Sequence, residues 1–560
     1  MWQNSRLAVL WDLSYILENS YRISLGDLPY RDFPFPYAPA TFLIQSLLIR
    51  LTGRVFFHHV LYCAIVGGLG TIVTWRILLQ VLRGSVPAFR LVAFLLAAPL
   101  AVLGIYSVFP HPFYDPDCTF VILCAILLLL HLERAAFPPL RAFLTGIVCV
   151  VPLFVKQNTG LAFLATTAMA AVILMAHDVW RRQRGSGYAW LMAGMGAGLV
   201  SATLLLHFTV GLRNYWHWTI QFAASRRLPG LSEMIGPYQN PLLLLWFAAF
   251  AAGALLLWRN RSGGRTLSLL SVSSMLMAAP FAWTTLYLLV EEDPSERAER
   301  LLALWPFVLL VSLVFAFWET RKGPSVARLL PFILIGTVQG AFLSQQLWGS
   351  TYAIWPLLMI LLAGVLAQLF RLGCEKSSRA IELLAGVAAL CMLVSGGFYV
   401  ASHERLNYVD VSTGEMARST LPALSGLSMR GPWIPQFEEL VRFTDREIPK
   451  DQGLLMIPGE DLFYYTTGRR PRFPVLMFDH TVNPYSPEEI VEISRRRNIC
   501  WLIVKKNLQR NDEPVEDKTQ LLELLRGDFA HVQSLANYDI YRRNAESDCA
   551  DAPRPPPRAN

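Results

Sequence analysis

From residue 38 to residue 401 the chain alternates long apolar runs with short polar joints, and after Ser402 that pattern stops. A helix crossing a bilayer needs about 20 mostly apolar residues, fewer where the bilayer thins locally. The pattern predicts about twelve spans on that criterion, near 56–82, 91–108, 118–133, 139–155, 159–177, 188–210, 240–258, 266–290, 300–318, 329–347, 352–371 and 380–401. Residues 38–52 are apolar but shorter, and read as a helix lying at the membrane interface. The predicted fold is a polytopic α-helical membrane protein with a soluble α/β domain at its C-terminal end. Its parts are an outer-face segment 1–55, a transmembrane bundle 56–401, the α/β domain 402–550 and a Pro-rich, disordered tail 551–560. Within the α/β domain, helices are expected at Phe437–Ile448, Pro487–Arg497 and Thr519–Leu525. Strands are expected at Gly453–Ile457, Ile499–Val504 and Tyr538–Arg543.

Composition agrees with a membrane protein. Of 560 residues, 54% are hydrophobic and 16% charged, against about 25% charged in soluble domains. The net charge of +8 does not indicate nucleic acid, because the excess Lys and Arg sits in short joints rather than in a basic stripe with interleaved aromatics. One set of joints carries Arg83/Arg90, Arg134/Arg141, Arg181/Arg182/Arg184, Arg259/Arg261/Arg265, Arg321/Lys322/Arg328 and Arg371/Lys376/Arg379. The alternate set, at 109–117, 156–158, 211–239, 291–299 and 348–351, is poor in positive charge. The positive-inside bias makes the first set cytoplasmic. The second set, residues 1–37 and the C-terminal domain then face outward, in an integral plasma or inner membrane. The eight cysteines show neither zinc spacing nor a disulfide framework and read as buried small hydrophobes.

Acids gather on the predicted outer face: Asp12, Glu18, Asp27 and Asp32 in the first segment, Asp115 and Asp117 in the joint after the second span. Charge beside a bilayer is costly unless solvated or used. Leu13, Ile16, Leu17, Ser20 and Tyr21 have helical spacing, with Asp12 where an N-cap would stand and Gly26 as the terminator. Pro29, Pro34, Pro36 and Pro39 keep the following chain extended.

An acid entering this helix, then Gly26-Asp-Leu-Pro-Tyr-Arg-Asp-Phe33 and Tyr37-Ala-Pro39, resembles the first external loop of GT-C membrane glycosyltransferases. The branch it looks most like includes the protein O-mannosyltransferases and the lipid A aminoarabinose transferase. Phe154-Val-Lys-Gln-Asn-Thr-Gly160 is similar to a joint of bacterial members. Arg300-Leu-Leu-Ala-Leu-Trp-Pro306 looks like the opening of a late span, without the Tyr usual there. The resemblance implies an inverting transfer of a sugar from a polyprenyl-phosphate donor to a lipid, glycan or protein acceptor. Asp12 would be the base, and Arg31, Lys156 and Arg300 would hold the donor phosphate. Such members also carry a span before the catalytic loop, so a start placed too far downstream is expected. Asp32 and the pair Asp115 and Asp117 are open to acceptor positioning or to a divalent cation.

Structural roles stand beside these. Asp12 can be a cap, Lys156 a snorkelling lysine, His217 between Trp216 and Trp218 part of an interfacial aromatic belt, and Gly459–Arg470 either a surface loop or a sugar contact. A transporter or flippase for a lipid-linked glycan is the rival reading. It lacks support from internal repeats or mid-span acids. A non-catalytic membrane anchor leaves the acids of the first segment unexplained. No Gly-rich nucleotide loop is present.

Overall fold

Leu10–Ser24 forms the first helix, α1, and Gly26, at φ 100°, turns the chain out of it in the left-handed region that suits glycine. The computed structural model describes every residue except 7–8, 136, 182–185, 228–229, 260–266, 293–299, 344–352, 374–377, 403–413, 510–515 and 545–560. The expected tail 551–560, the joint 348–351 and the acids Asp293, Glu296 and Glu299 lie outside the described residues. So do Arg182, Arg184, Arg261, Arg265 and Lys376.

After the extended Pro-rich stretch comes α2 (Ala40–Thr52), the expected interfacial helix. Arg50 in its last turn donates to the Ile23 and Ser24 carbonyls at the C-terminus of α1, where a cation also meets the helix dipole favourably. The bundle then begins with α3 (Phe56–Leu82), α4 (Phe89–Ala97), α5 (Tyr114–Arg134), α6 (Pro139–Val150), α7 (Gln157–Trp180) and α8 (Ser186–Thr209).

Among the described residues nine helices are long and apolar enough to cross a membrane: α3, α5, α7, Gly187–Thr209, Leu242–Arg259, Leu269–Val290, Arg300–Thr320, Trp355–Gly373 and Ser378–Ala401. The other three expected spans are shorter apolar helices, Phe89–Ala101, Pro139–Phe154 and Val326–Phe342. At about 1.5 Å per residue they fall short of a hydrocarbon core of about 30 Å. Pro99 and Pro152 explain two of them, because each converts the last turn to 3-10 geometry, at Ala98–Ala101 and Val151–Phe154. The helices pack closely where glycines face each other. A Cβ on Gly194 of α8 would stand 2.0 Å from the Phe143 carbonyl oxygen of α6, and one on Gly146 would stand 2.2 Å from the Leu191 oxygen.

The two sets of joints separate in space. At one end Glu319 pairs with Arg371, Arg328 and Lys322, Arg371 reaches Ser85, and Glu133 accepts the N–H groups that open the helix Val326–Phe342. At the other end Asn4 donates to Pro110 O, Gln157 to Pro36 O and Thr219 O, and Arg226 to His480 O. The joints that carry Arg83, Arg134, Arg328 and Arg371 thus share one end. The acid-bearing segments and the C-terminal domain share the other.

That domain pairs β1 (Met416–Arg418) with β2 (Ser428–Arg430). Its main sheet has strand order β3-β4-β6-β5, built from β3 (Gly453–Ile457), β4 (Ile499–Lys505), β5 (Phe529–Ser534) and β6 (Tyr538–Arg543). β3 and β4 run parallel; the other pairs are antiparallel. Leu455, Leu502 and Val504 face a core covered by the helices Pro487–Arg496 and Glu516–Arg526. Leu454, Met456 and Ile503 face the opposite way, into a core continuous with α1 and the bundle. The sheet is therefore seated on the membrane domain. One expectation is corrected here: Cys500 on β4 is disulfide-bonded rather than a free buried thiol.

Candidate active site

Helix α1 is buried almost all round. Of its fifteen residues only Asp12 and Ser24 are not buried. Asp12 is half-buried in the first turn and is not the cap. Val9 holds the N-cap position and supplies no side-chain acceptor, which corrects the capping expectation. The expected amphipathic pattern was also too modest, because α1 sits between two partners and has no wet face. The one carboxylate of its first two turns that meets accessible space is Asp12.

An aromatic wall continues from this point. Tyr15, one turn beyond Asp12 on the same face, packs against Tyr37 at 4.9 Å and Phe42 at 5.9 Å between ring centroids. Tyr37 packs on Tyr114 at 5.1 Å, and the Lys156 ammonium lies 5.7 Å from the Tyr114 ring. The first segment, the 109–117 joint and the 156–158 joint therefore meet. Gln157 fixes the extended loop from both ends of its amide. Its Nε2 donates to Pro36 O at 3.0 Å, and its Oε1 accepts from Ala38 N at 3.2 Å. Tyr30, buried at φ 67°, is a non-glycine residue in the left-handed region. Its hydroxyl donates to Tyr37 O, and the turn is closed by Asp32, which accepts from Leu28 N–H and from Arg31. Arg31 is exposed beside it.

Asp115 and Asp117 occupy the first turn of α5 but have different partners. Asp115 is buried and pairs with Lys156. Asp117 is buried under three hydroxyls: Thr41 on Oδ2 at 2.7 Å, and Tyr62 at 2.9 Å and Tyr106 at 2.7 Å on Oδ1. Its carboxylate ties α2, α3 and the 98–108 segment to α5. The two acids do not converge, and among the described residues no group of three or more His, Cys, Asp or Glu forms a metal-holding cluster. Asp115 gives one oxygen to the Lys156 ammonium, and Asp117 gives both of its oxygens to hydroxyls. Lys156 does not snorkel; it is buried at the N-cap position of α7. Arg300 donates to the Tyr287 hydroxyl at 3.0 Å and lies over that ring at 4.0 Å. His217 is exposed and opens a π-helical segment, His217–Phe222, with its ring against Trp218.

No family model matches the sequence, and no curated protein does. Solved structures do. The chain is similar to ArnT from Cupriavidus metallidurans. The crystal structure of that protein bound to undecaprenyl phosphate matches at 15% sequence identity and a TM-score of 0.45, covering 98% of this chain and 96% of that one. Its apo structure matches at 13% identity and a TM-score of 0.44, with the same coverage.

The buried face of α1 meets the segment Gly459–Arg470. Ser14 donates to Asp461 O and Gly459 O, Tyr21 to Gly468 O, and Arg22 to Phe473 O and Pro474 O. Glu18 accepts from Tyr465 N at 3.0 Å. Residues 459–466 are buried and dock on α1, whereas Arg470 at the end of the segment is exposed. Glu18 thereby caps the short helix Phe463–Thr467, whose own N-cap, Leu462, has no side-chain acceptor. Burial pushes the Glu18 carboxyl well above the usual carboxylate range. The N–H groups of Tyr465 and Tyr464 pull it back, and Asp461 raises it further. Sequence reasoning did not find Gln157, the three hydroxyls on Asp117 or the capping role of Glu18. The Lys156-Gln157 dipeptide was visible, but its target in the 36–38 backbone was not.

Proposed function

We propose that the protein is an inverting glycosyltransferase that moves a sugar from a polyprenyl-phosphate donor to an acceptor hydroxyl at the extracytoplasmic membrane face. The observation that carries this is Asp12, the half-buried carboxylate of an otherwise buried helix, one turn before Tyr15, whose ring contacts lead through Tyr37 and Tyr114 to the 109–117 and 156–158 joints. The resemblance of the first loop supports the donor class. The disulfide at Cys500 supports an oxidising, extracytoplasmic side for the C-terminal domain.

In this reading Asp12 accepts the proton of the acceptor hydroxyl while its oxygen attacks the anomeric carbon. The bond from that carbon to the phosphate oxygen breaks, and the electron pair leaves with the polyprenyl phosphate. Inversion follows from the single displacement. Lys156, steered by Asp115, stabilises charge developing on the phosphate, and Arg31 and Arg300 supply further cations. Asp32 shapes the loop, and Asp117 holds the floor beneath it. The acceptor is a lipid, glycan or protein hydroxyl.

The test is sugar transfer from a labelled polyprenyl-phosphate donor in reconstituted membranes, with donor binding followed separately. Asp12→Asn keeps shape and removes the proton acceptor, so turnover falls roughly 10²–10⁴-fold with donor binding little changed. Arg300→Ala does the reverse and weakens donor binding. Near-normal transfer by Asp12→Asn removes Asp12 as the base.

A further inference from the structure

The first turn of α1 is held by the C-terminal domain on both sides of Asp12. Val9 cannot cap the helix, and the Leu10 N–H is taken instead by Gln509 Oε1 at 2.7 Å. Gln509 is itself fixed, because its backbone N–H donates to Glu460 Oε1 at 2.9 Å. Glu460 is buried and pairs through Oε2 with Lys505 Nζ at 2.6 Å. Lys505, also buried, reaches Asp461 Oδ1 at 2.9 Å. The backbone carbonyl of Asp461 accepts the Ser14 hydroxyl at 2.8 Å, which returns the circuit to α1 one turn later. The two anchors, Leu10 and Ser14, bracket Asp12.

The supporting loops leave the C-terminal ends of the parallel strands β3 and β4, which end at Ile457 and Lys505. Loops at the carboxyl ends of parallel strands are where α/β sheets build sites. Here that edge of the sheet grips the N-terminus of α1. A buried Lys among two buried carboxylates costs desolvation and persists only where its geometry is fully used. Burial pulls the Lys505 ammonium down, but the Asp461 and Glu460 carboxylates outweigh it and hold Lys505 above its usual range, so Lys505 stays charged.

We propose that Gln509 is a positioning residue for the Asp12 carboxylate, acting through the Leu10 N–H and held in place by Glu460 and Lys505. This rests on the reading of Asp12 as the base. It gives the C-terminal domain a part in the transfer step: the domain sets the angle of the helix that carries the base. Displacement of a reacting group by about 1 Å costs up to roughly 10²-fold in rate.

The experiment compares Gln509→Met, which keeps the length of the side chain and removes the acceptor, with Gln509→Glu, which keeps the acceptor oxygen. Both are made in the full-length protein and assayed with the labelled donor. Gln509→Met is expected to lower kcat by roughly 10–100-fold, with the donor KM within about twofold and the melting temperature retained. Gln509→Glu recovers most of the rate. Ser14→Ala removes the second anchor and is read by the same split, so the inference stays testable if Gln509→Met does not fold. Wild-type kcat in both Gln509→Met and Ser14→Ala overturns the inference, as does a loss carried in KM or one that Gln509→Glu does not restore. Asp12→Asn in the same assay separates the two failures. If Asp12→Asn is inactive while the Gln509 and Ser14 variants are normal, only the positioning role falls. If Asp12→Asn is active, the base assignment falls and this inference with it.

Discussion

Lys156 and Asp115 form a buried ion pair that joins the N-terminus of α7 to the first turn of α5. The second Asp115 oxygen is buried with no hydrogen-bond partner among the described residues. The buried Asp115 carboxylate therefore depends on the Lys156 ammonium for its compensation in a low-dielectric site. Removing one member of a buried pair costs about 3–5 kcal/mol, whereas replacing both with apolar groups of similar size is often near neutral. Asp115→Asn and Lys156→Met should each lower the unfolding midpoint strongly, and the double variant should recover most of the loss. A double-mutant cycle on unfolding in detergent checks this; additive single effects would show that the two are uncoupled. Donor binding separates the functional part. It should weaken roughly 10–100-fold in the double variant, which lacks the charge-assisted phosphate contact.

Glu18 provides a pH-dependent test of the seam between α1 and the C-terminal domain. Its carboxyl is raised by burial, so the folded protein keeps a proton that the unfolded chain has lost. Between the unfolded and folded pKa values the folded state binds more protons, so stability falls as pH rises, by at most about 1.4 kcal/mol per pH unit. Glu18→Gln keeps an oxygen for the Tyr465 N–H and removes the titration. Its unfolding midpoint should match the wild type near pH 4 and exceed it increasingly toward neutral pH. Glu18→Leu loses the cap and should cost about 0.5–2 kcal/mol. Midpoints measured from pH 4 to pH 8 decide; a Glu18→Gln variant that loses ground as pH rises contradicts the assignment.

Much of this fold was legible because local signals carry it. β3 begins at Gly453 and ends at Ile457 as the apolar run does, and one helix after it follows its cap, since the capping box of Ser486 with Glu489 opens Pro487–Arg496. Strand β5 was missed because only its first residue is buried, so it presents no alternating face to read. The site was legible in residue type but not in pairing. Asp117 draws hydroxyls from positions 41, 62 and 106, and no spacing along the chain announces that convergence. The same holds for Glu18, which caps a helix some 450 residues away, and for Cys500, whose spacing to other cysteines is uninformative.

Asp117 should behave as a structural latch. Asp117→Ala would leave the buried Thr41 and Tyr106 hydroxyls and the half-buried Tyr62 hydroxyl without their acceptor, at about 1–3 kcal/mol for each group left unsatisfied. The expected result is a large loss of folded protein. Asp117→Asn keeps two oxygen or amide positions and should cost less. If Asp117 instead positions an acceptor or cation, Asp117→Asn would keep wild-type stability and lose transfer, and added divalent cation would change the wild-type rate. Melting temperature and transfer rate measured together on the two variants separate these outcomes.

The sidedness of the protein can be tested through the same domain. The joints of Arg83, Arg134, Arg328 and Arg371 gather at the end marked by Glu319, and the C-terminal domain sits at the other. The positive-inside bias then predicts that this domain lies outside. A disulfide at Cys500 agrees with a compartment that keeps thiols oxidised. Two measurements follow. A reporter that is active only outside the cytoplasm, fused after Lys450, should be active. In whole cells blocked with a thiol reagent and then denatured, Cys500 should accept a mass tag only after reduction, and Cys500→Ser should remove that reduction-dependent tag from this position. Tagging of Cys500 without reduction, together with an inactive fusion, would put the domain in the cytoplasm. Asp12, Lys156 and Gln509 would move there with it, because the contacts among the outer segments bind them to one end of the bundle. A polyprenyl-phosphate donor presented at the outer face would then have no access to the proposed base.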